Sequence, residues 1–532
     1  MARGRTIVLV SATSVLVVGA AAGGAYYLLH TRGTPAESAA RFAAGWQAGN
    51  TATMSAELAR PQSLAAYDQL RKGLGVTATK VTLGAVREGD DRAAVPYTAT
   101  LTLANAGQWS YQGTIDLVVH ERAWKVDWKP STLHPDLTPG AGFSLKSRWP
   151  QRAAITDADG RRIDDGSAGG SIQQLVGFLD KATDDDVKKY GPPYKTGQAI
   201  GRGGLQATFQ QRLAGTPATD IKLGDKTLST LKGATGKPLE TTLDPSVQRA
   251  AVAAVDQMDK PTSIVAIKPS TGGILAVVNN RGDMNRALDG QYAPGSTFKA
   301  VTALALLTEG VKADETVQCP QYATVGGLKI RNSEHASFGS LSFSDSFAHS
   351  CNTSFAPLAQ DKLGGDKLKA AAESVGFNQP LKIGVPARQP SFPAPESDAE
   401  LAASSFGQAR LVATPLTMAS VAAAIADGTW RPPTLVEGRK QEAQPHELPA
   451  DAVRALRQMM RAVVVKGTAK DAGLPSSTYG KTGTAEYGNP VAGSHAWFMG
   501  YRGDVAFAVI VEGGGGGGKV AAPVGARFLH GL

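Results

Sequence analysis

The sequence predicts a multidomain α+β protein tied to a membrane, and three observations carry that prediction. An uncharged apolar run opens the chain. A capped helix followed by alternating strands fills residues 35 to 145. The C-terminal part mixes helical runs with strands and carries serines and lysines at short spacings. At 532 residues there is room for roughly three or four domains, each with its own core. Hydrophobic residues at 42% and charged residues at 19% suit a folded body. The net charge of +9 is modest for this length, and no zinc-finger spacing, ribonucleoprotein motif or long basic tract is present, so no nucleic-acid partner is expected. The eight histidines form no HExxH cluster, and two cysteines alone cannot complete a four-ligand zinc site; no metal or other cofactor is expected.

Residues Thr6 to Leu29 hold no charge and exceed the roughly 20 residues that cross a bilayer core. Arg3 and Arg5 before them favour a cytoplasmic start and an exported remainder. Ala20 and Ala22 offer a cleavage site as the alternative, but the length and the Tyr26-Tyr27 pair at the outer end favour a retained anchor. The next stretch, TPAESAARFAAGWQAGN, reads as a helix capped by Thr34, with Pro35 at its first position, Glu37 closing a capping box, and Phe42 and Trp46 on one face. From 93 to 129 the alternation of Ile115, Leu117 and Val119, then Trp124, Val126 and Trp128, predicts a curved antiparallel sheet. The prolines and glycine of KPSTLHPDLTPG close that unit.

Residues 148 to about 230 are polar, with turns at Asp159-Gly160 and Asp165-Gly166, and read as an irregular α+β module whose strands the pattern does not place. Asp244 then caps a helix begun by Pro245, and SIVAIKP and ILAVVN form a hairpin across Ser270 to Gly273. Further on, AWFMGY and VAFAVIVE are strands. The run GGGGGG, 513 to 518, reads as a flexible break and lacks the order of a phosphate loop.

Three short stretches carry chemistry. In APGSTFKA, Ser296 and Lys299 stand three apart ahead of an apolar helix that Gly310 stops, so both can face one site. A neutral Lys299 could take the hydroxyl proton and make Ser296 a nucleophile. In HSCNTSF, Ser350 can relay a proton and the Asn352 amide can hold a substrate amide or carbonyl. In YGKTGTAE, an edge strand would offer the Lys481 cation, the Thr482 and Thr484 hydroxyls, and close backbone approach at Gly483 to an extended peptide. Each alone is weak: a Ser-x-Asn run is usually a turn, and a surface lysine is ordinary. Together they follow in the order SxxK, SxN, KTG, about 50 and 130 residues apart, the signature shared by penicillin-binding proteins and related β-lactamases.

On those motifs the chain resembles a class B penicillin-binding protein, a D,D-transpeptidase of bacterial peptidoglycan synthesis. KSRWPQRAAITDADG, 146 to 160, is similar to the family's entry to its pedestal region, and ARLVATPLTMASVAAAIADGTWRPP, 409 to 433, to the helix and loop before its third motif. The unit from 35 to 145 is similar to the nuclear-transport-factor-like domain of a subgroup that includes low-affinity, resistance-associated members. The resemblance implies a cytoplasmic start and transmembrane anchor over 1–32, that small cone-shaped α+β domain over 33–145, a pedestal or dimerisation-like domain over 146–232, and over 233–532 a penicillin-binding, serine β-lactamase-like fold in which helices flank an antiparallel sheet. It further implies a single-pass protein of the bacterial cell membrane with its catalytic domain outside the cytoplasm.

By the same resemblance Ser296 would be the acylated nucleophile and Lys299 its base, with Ser350 and Lys481 shuttling the proton to the leaving D-alanine. Asn352 would bind the donor peptide amide and Thr482 with Thr484 its terminal carboxylate, while the backbone N–H groups of Ser296 and Thr484 would form the oxyanion hole. The expected substrates are D-Ala-D-Ala stem peptides, the expected inhibitors β-lactams, and the expected partner a membrane glycosyltransferase or another member of the division or elongation machinery. Cys351 departs from the commonest second motif. Export permits a disulfide between it and Cys319, which would brace the loop. Water in place of the acceptor amine would make the protein a D,D-carboxypeptidase or β-lactamase. A non-enzymatic β-lactam-binding sensor or wall-binding protein is the reading from a different class.

Overall fold

Thr34 begins the first helix by accepting a hydrogen bond from the Glu37 N–H at 3.2 Å while its own N–H donates to Glu37 Oε2 at 3.1 Å, the reciprocal box that the sequence predicts. The computed structural model describes residues 31–166, 169–488 and 491–532. The span expected at Thr6 to Leu29 lies outside the described residues; among those described, no helix is long and apolar enough to cross a membrane.

The chain divides into two compact units. Of the described residues, the first comprises 31–152, 180–199 and 214–236; the second comprises those within 153–179, 200–213 and 237–532. In the first, helices α1 (Pro35–Ala48), α2 (Thr51–Ala56) and α3 (Ala65–Leu74) precede strands β1 (Val76–Leu83), β2 (Arg87–Glu88), β3 (Arg92–Leu103), β4 (Gly107–His120) and β5 (Ala123–Val126). The sheet runs in the order β1-β3-β4-β5, with β2 also on β3. Val95, Tyr97, Ala99, Leu101 and Leu103 alternate inward along β3, as a half-buried strand requires. Trp46 meets Tyr97 edge-on at 5.2 Å and sits fully buried beside Phe42, so the aromatic pair read from the helix is core.

The stretch 146–232, expected as a module of its own, is shared between the two units. Strands β6 (Phe143–Arg148), β7 (Ala218–Leu223) and β8 (Lys226–Leu231) form a three-stranded sheet in the order β8-β7-β6. Its apolar side chains Phe143, Leu145, Ile221 and Leu223 join the core of the first unit. Ile155, Leu175, Val176, Leu205 and Leu213 instead join the core of the second. The polar composition of this stretch hides which core each short apolar cluster serves.

The second unit is built on β9 (Thr262–Ile267), β10 (Ile274–Asn279), β11 (Tyr479–Tyr487), β12 (Gly493–Arg502) and β13 (Val505–Val511), antiparallel throughout in the order β10-β9-β13-β12-β11. Strands β9 and β13 are central and almost continuously apolar, because helices cover them. The helix Pro245–Asp256 takes its cap from Asp244, which accepts from the Ser246 and Val247 N–H groups. The helix Pro415–Asp427 is buried almost all round against the sheet. Strand β11, which carries the Lys481 motif, is the sheet edge.

Candidate active site

Ser296 lies in a 3-10 turn, Gly295–Phe298, that leads directly into the helix Lys299–Thr308. In such a turn residues three apart eclipse, which aligns Ser296 with Lys299 more closely than an α-helix would. The helix is apolar and buried from Lys299 to Leu306, so the lysine has no route to solvent along it. Lys299 Nζ lies 3.0 Å from Ser296 Oγ, 2.7 Å from the Ser350 carbonyl, 3.3 Å from Ser350 Oγ and 2.6 Å from Asn352 Oδ1. Lys481 Nζ donates to Ser350 Oγ at 2.9 Å and to the Thr482 carbonyl at 3.0 Å. The structure thus joins Ser296, Lys299, Ser350, Asn352 and Lys481 in one hydrogen-bonded chain.

Both lysines are fully buried. Burial, and then the charge of Lys481, holds the Lys299 pKa well below that of an ordinary lysine, and burial pushes Lys481 down to about 7. The four acceptor atoms around Lys299 would also suit an ammonium, but no carboxylate is among them and a second lysine stands behind Ser350. A neutral amine fits the same contacts. Its two N–H groups serve the Ser350 carbonyl and Asn352 Oδ1, and its lone pair is left for the Ser296 hydroxyl.

Acylation of Ser296 should therefore persist well below the ordinary lysine range and should fall as pH drops through about 7, where Lys481 takes up a proton and can no longer accept one through Ser350. The sign follows from the base form being the neutral one, which protonation removes. Single-turnover labelling across pH checks this; a profile rising only at the ordinary lysine value of 10.5 would contradict it.

The second motif sits between the helices Phe343–Ala348 and Asn352–Lys362. Ser350 adopts φ +62°, sparsely populated for a residue with a Cβ, and the Ser350 and Cys351 N–H groups tie back to Phe347 and Ser346. Cys351 is bonded to Cys319, and both are buried. The bridge closes a 32-residue separation, so replacing both cysteines by alanine should cost about 3 kcal/mol of stability. Denaturant unfolding of the double variant, with non-reducing peptide mapping of the parent, checks it. The Asn352 amide is engaged at both ends: its oxygen holds Lys299 and its Nδ2 donates to the Arg331 carbonyl at 2.8 Å. In this state it orients the lysine.

The third motif differs from expectation in two particulars. A Cβ at Gly483 would meet Thr297 Cγ2 at 2.9 Å and the Pro294 carbonyl at 3.0 Å, so the glycine admits the nucleophile turn. Thr482 is buried and its hydroxyl is 2.5 Å from that of Thr468, whereas Thr484 is half-buried and accepts from the Gly517 N–H at 3.4 Å. Ser296, Asn352 and Thr484 line one cleft of about 290 Å³.

The run 513–518 is not a flexible break. A Cβ at Gly517 would lie 2.3 Å from the carbonyls of both Gly483 and Trp497, and one at Gly518 would lie 2.1 Å from the Thr468 carbonyl. These glycines let the chain lie directly on the strand that carries Lys481. Sequence reasoning missed this contact and also missed Thr468, whose N–H donates to the Ala348 carbonyl and whose hydroxyl reaches Thr482. No spacing links it to either motif. Among the described residues no group of histidine, cysteine, aspartate or glutamate could hold a metal ion.

A half-exposed serine served by two buried lysines beside the edge of an antiparallel sheet is the apparatus of a serine acyltransferase. The chain belongs to the penicillin-binding protein family: its residues 262–530 match the penicillin-binding protein transpeptidase domain, and residues 34–141 match the NTF2-like N-terminal transpeptidase domain. It is similar to the peptidoglycan D,D-transpeptidase PbpA of Mycolicibacterium smegmatis, 32% identical over 354 residues that cover 54% of this chain and 71% of that protein. The PbpA of Mycobacterium tuberculosis is 30% identical over 360 residues, covering 54% and 71% respectively. Among solved structures, Pseudomonas aeruginosa PBP2 in complex with WCK 5153 matches with a TM-score of 0.63 at 26% identity, over 73% of this chain and 96% of that one.

Proposed function

We propose that this protein is a D,D-transpeptidase that cross-links peptidoglycan stem peptides through an acyl-enzyme on Ser296 and is inhibited covalently by β-lactams. The observation that carries the reading is Lys299 Nζ at 3.0 Å from Ser296 Oγ, buried and drawn toward its neutral form. The Ser296 hydroxyl gives its proton to Lys299 as Oγ attacks the carbonyl of the penultimate D-alanine. Ser350, touched by both lysines, carries a proton toward the departing D-alanine amine. Thr484, beside Ser296 in the cleft, suits the donor carboxylate. Backbone N–H groups of Ser296 and Thr484 suit the developing oxyanion, where one donor is worth ~3 kcal/mol. An amine from a second stem then takes the acyl group.

Family membership and the mycobacterial relatives named as D,D-transpeptidases support the substrate class. The uncharged run Thr6 to Leu29 and the Cys319–Cys351 bond support a single-pass membrane protein with its catalytic unit in an oxidising, extracytoplasmic space. A membrane glycosyltransferase is the partner that would supply the strands. Mass spectrometry of products formed from paired stem peptides tests the reading. Cross-linked dimers are expected, and hydrolysis alone would replace it with carboxypeptidase activity.

A further inference from the structure

Charge crosses the mouth of the cleft. Arg331, at the end of the short strand Leu328–Arg331, places Nη2 2.9 Å from Glu486 Oε1 on β11. The two residues come from opposite walls. The Arg331 carbonyl holds Asn352, and Glu486 follows Thr484 by two positions, on the same face of the strand. Both line the cleft that contains Ser296, and their side chains are 43% and 44% exposed. Farther out, Lys519, just after the glycine run, reaches Glu334 at 2.7 Å.

Ion pairs this exposed contribute little to stability, so exchanging one partner for a charged ligand is cheap. Among the described residues that line the cleft, Glu486 is the carboxylate, while Lys329 and Arg331 are cations. Lys329 already lies over the Tyr322 ring, 4.5 Å from its centroid. A transpeptidase must bring a primary amine to the acyl-serine, and at neutral pH such an amine arrives as an ammonium. A carboxylate is the group that recognises it.

We propose that Glu486 is the docking group for the acceptor ammonium, with Arg331 as its resting partner, so that this pair sets the choice between amine and water. The proposal rests on the transpeptidase reading and deepens it. Parting the pair leaves Glu486 facing the incoming ammonium. The bound ammonium releases one proton to solvent, and its lone pair forms the C–N bond at the ester carbonyl carbon. The C–Oγ bond to Ser296 breaks, and the second proton passes from the attacking nitrogen through Lys299 to Ser296 Oγ. The resulting amide is balanced without any oxidant or further reactant.

The test uses the full chain, a thioester donor peptide, and D-alaninamide as an acceptor that has an ammonium and no carboxylate. The quantity read is the ratio of aminolysis to hydrolysis from the same acyl-enzyme, which does not depend on how fast that acyl-enzyme forms. Glu486→Gln should lower the ratio about 10-fold at subsaturating acceptor, through a raised acceptor KM, and Glu486→Asp should restore part of it. Arg331→Gln should raise the ratio by freeing the carboxylate. An unchanged ratio in Glu486→Gln, with both products falling together, would make the pair a structural tie and overturn the proposal. Failure of the unsubstituted chain to form any acyl-enzyme on Ser296, seen before acceptor is added, would overturn the functional reading itself and this inference with it.

Discussion

Ser296→Ala abolishes covalent labelling by a β-lactam, and Lys299→Ala lowers the acylation rate by about 100- to 10,000-fold. The first result follows from deletion of the atom placed to attack: Oγ, half-buried, lining the cleft and 3.0 Å from Lys299 Nζ. The second follows from the lysine's position as the base. With it gone, no basic nitrogen among the described residues bonds the hydroxyl, since Lys481 touches Ser350. A loss in that range corresponds to roughly 3 to 5 kcal/mol of barrier. The helix Lys299–Thr308 should survive, because alanine is a better helix former than lysine and the buried amine has no carboxylate partner to orphan. Labelling kinetics with peptide mass spectrometry, alongside denaturant unfolding of both variants, separates chemistry from folding. A stable adduct elsewhere in Ser296→Ala, or acylation at the parental rate in Lys299→Ala, would overturn the assignment.

What could be read in the sequence and what could not divide along physical lines. The capping box at Thr34 and Glu37, the cap at Asp244 and the apolar helix after Ser296 are local, with their partners within four residues. The pairing of Ser296 with Lys299 was legible for the same reason. Ser350 and Lys481 were legible only because three weak stretches recur in a known order; nothing in their own surroundings announces that they meet. The contacts that hold the motifs in register are all long-range. Thr468 joins the second motif to the third, and Arg331 holds Asn352 through its backbone carbonyl, which no side-chain pattern can signal. Gly483 illustrates a subtler failure. Its smallness was rightly seen as serving close approach, but the neighbour that approaches is Thr297, more than 180 residues earlier in the chain. Stretch 146–232 failed differently: its few apolar residues are distributed between two cores, and so no periodicity accumulates in either.

Composition misleads most at the glycine run, and the remedy is a paired substitution. Gly517→Ala should destabilise the protein by about 3 kcal/mol, while Gly516→Ala should leave its stability within about 0.5 kcal/mol of the parent. A Cβ at 517 would enter to 2.3 Å of the Gly483 and Trp497 carbonyls, both backbone atoms that cannot rotate away. One at 516 would meet nothing within 4 Å. Gly517 also donates its N–H to Thr484 Oγ1, so pushing the loop outward frees the hydroxyl beside Ser296 and shifts the strand that holds Lys481. Acylation should therefore slow in Gly517→Ala even well below its unfolding midpoint, whereas mere loosening of a tether would leave the rate untouched. Were the run a flexible linker, the two substitutions would be equivalent, and both would stabilise slightly by restricting the unfolded chain. Equal and small effects at 516 and 517 would restore the linker interpretation. A large effect confined to 517, in both unfolding and labelling rate, establishes the glycine as the surface on which the third motif rests.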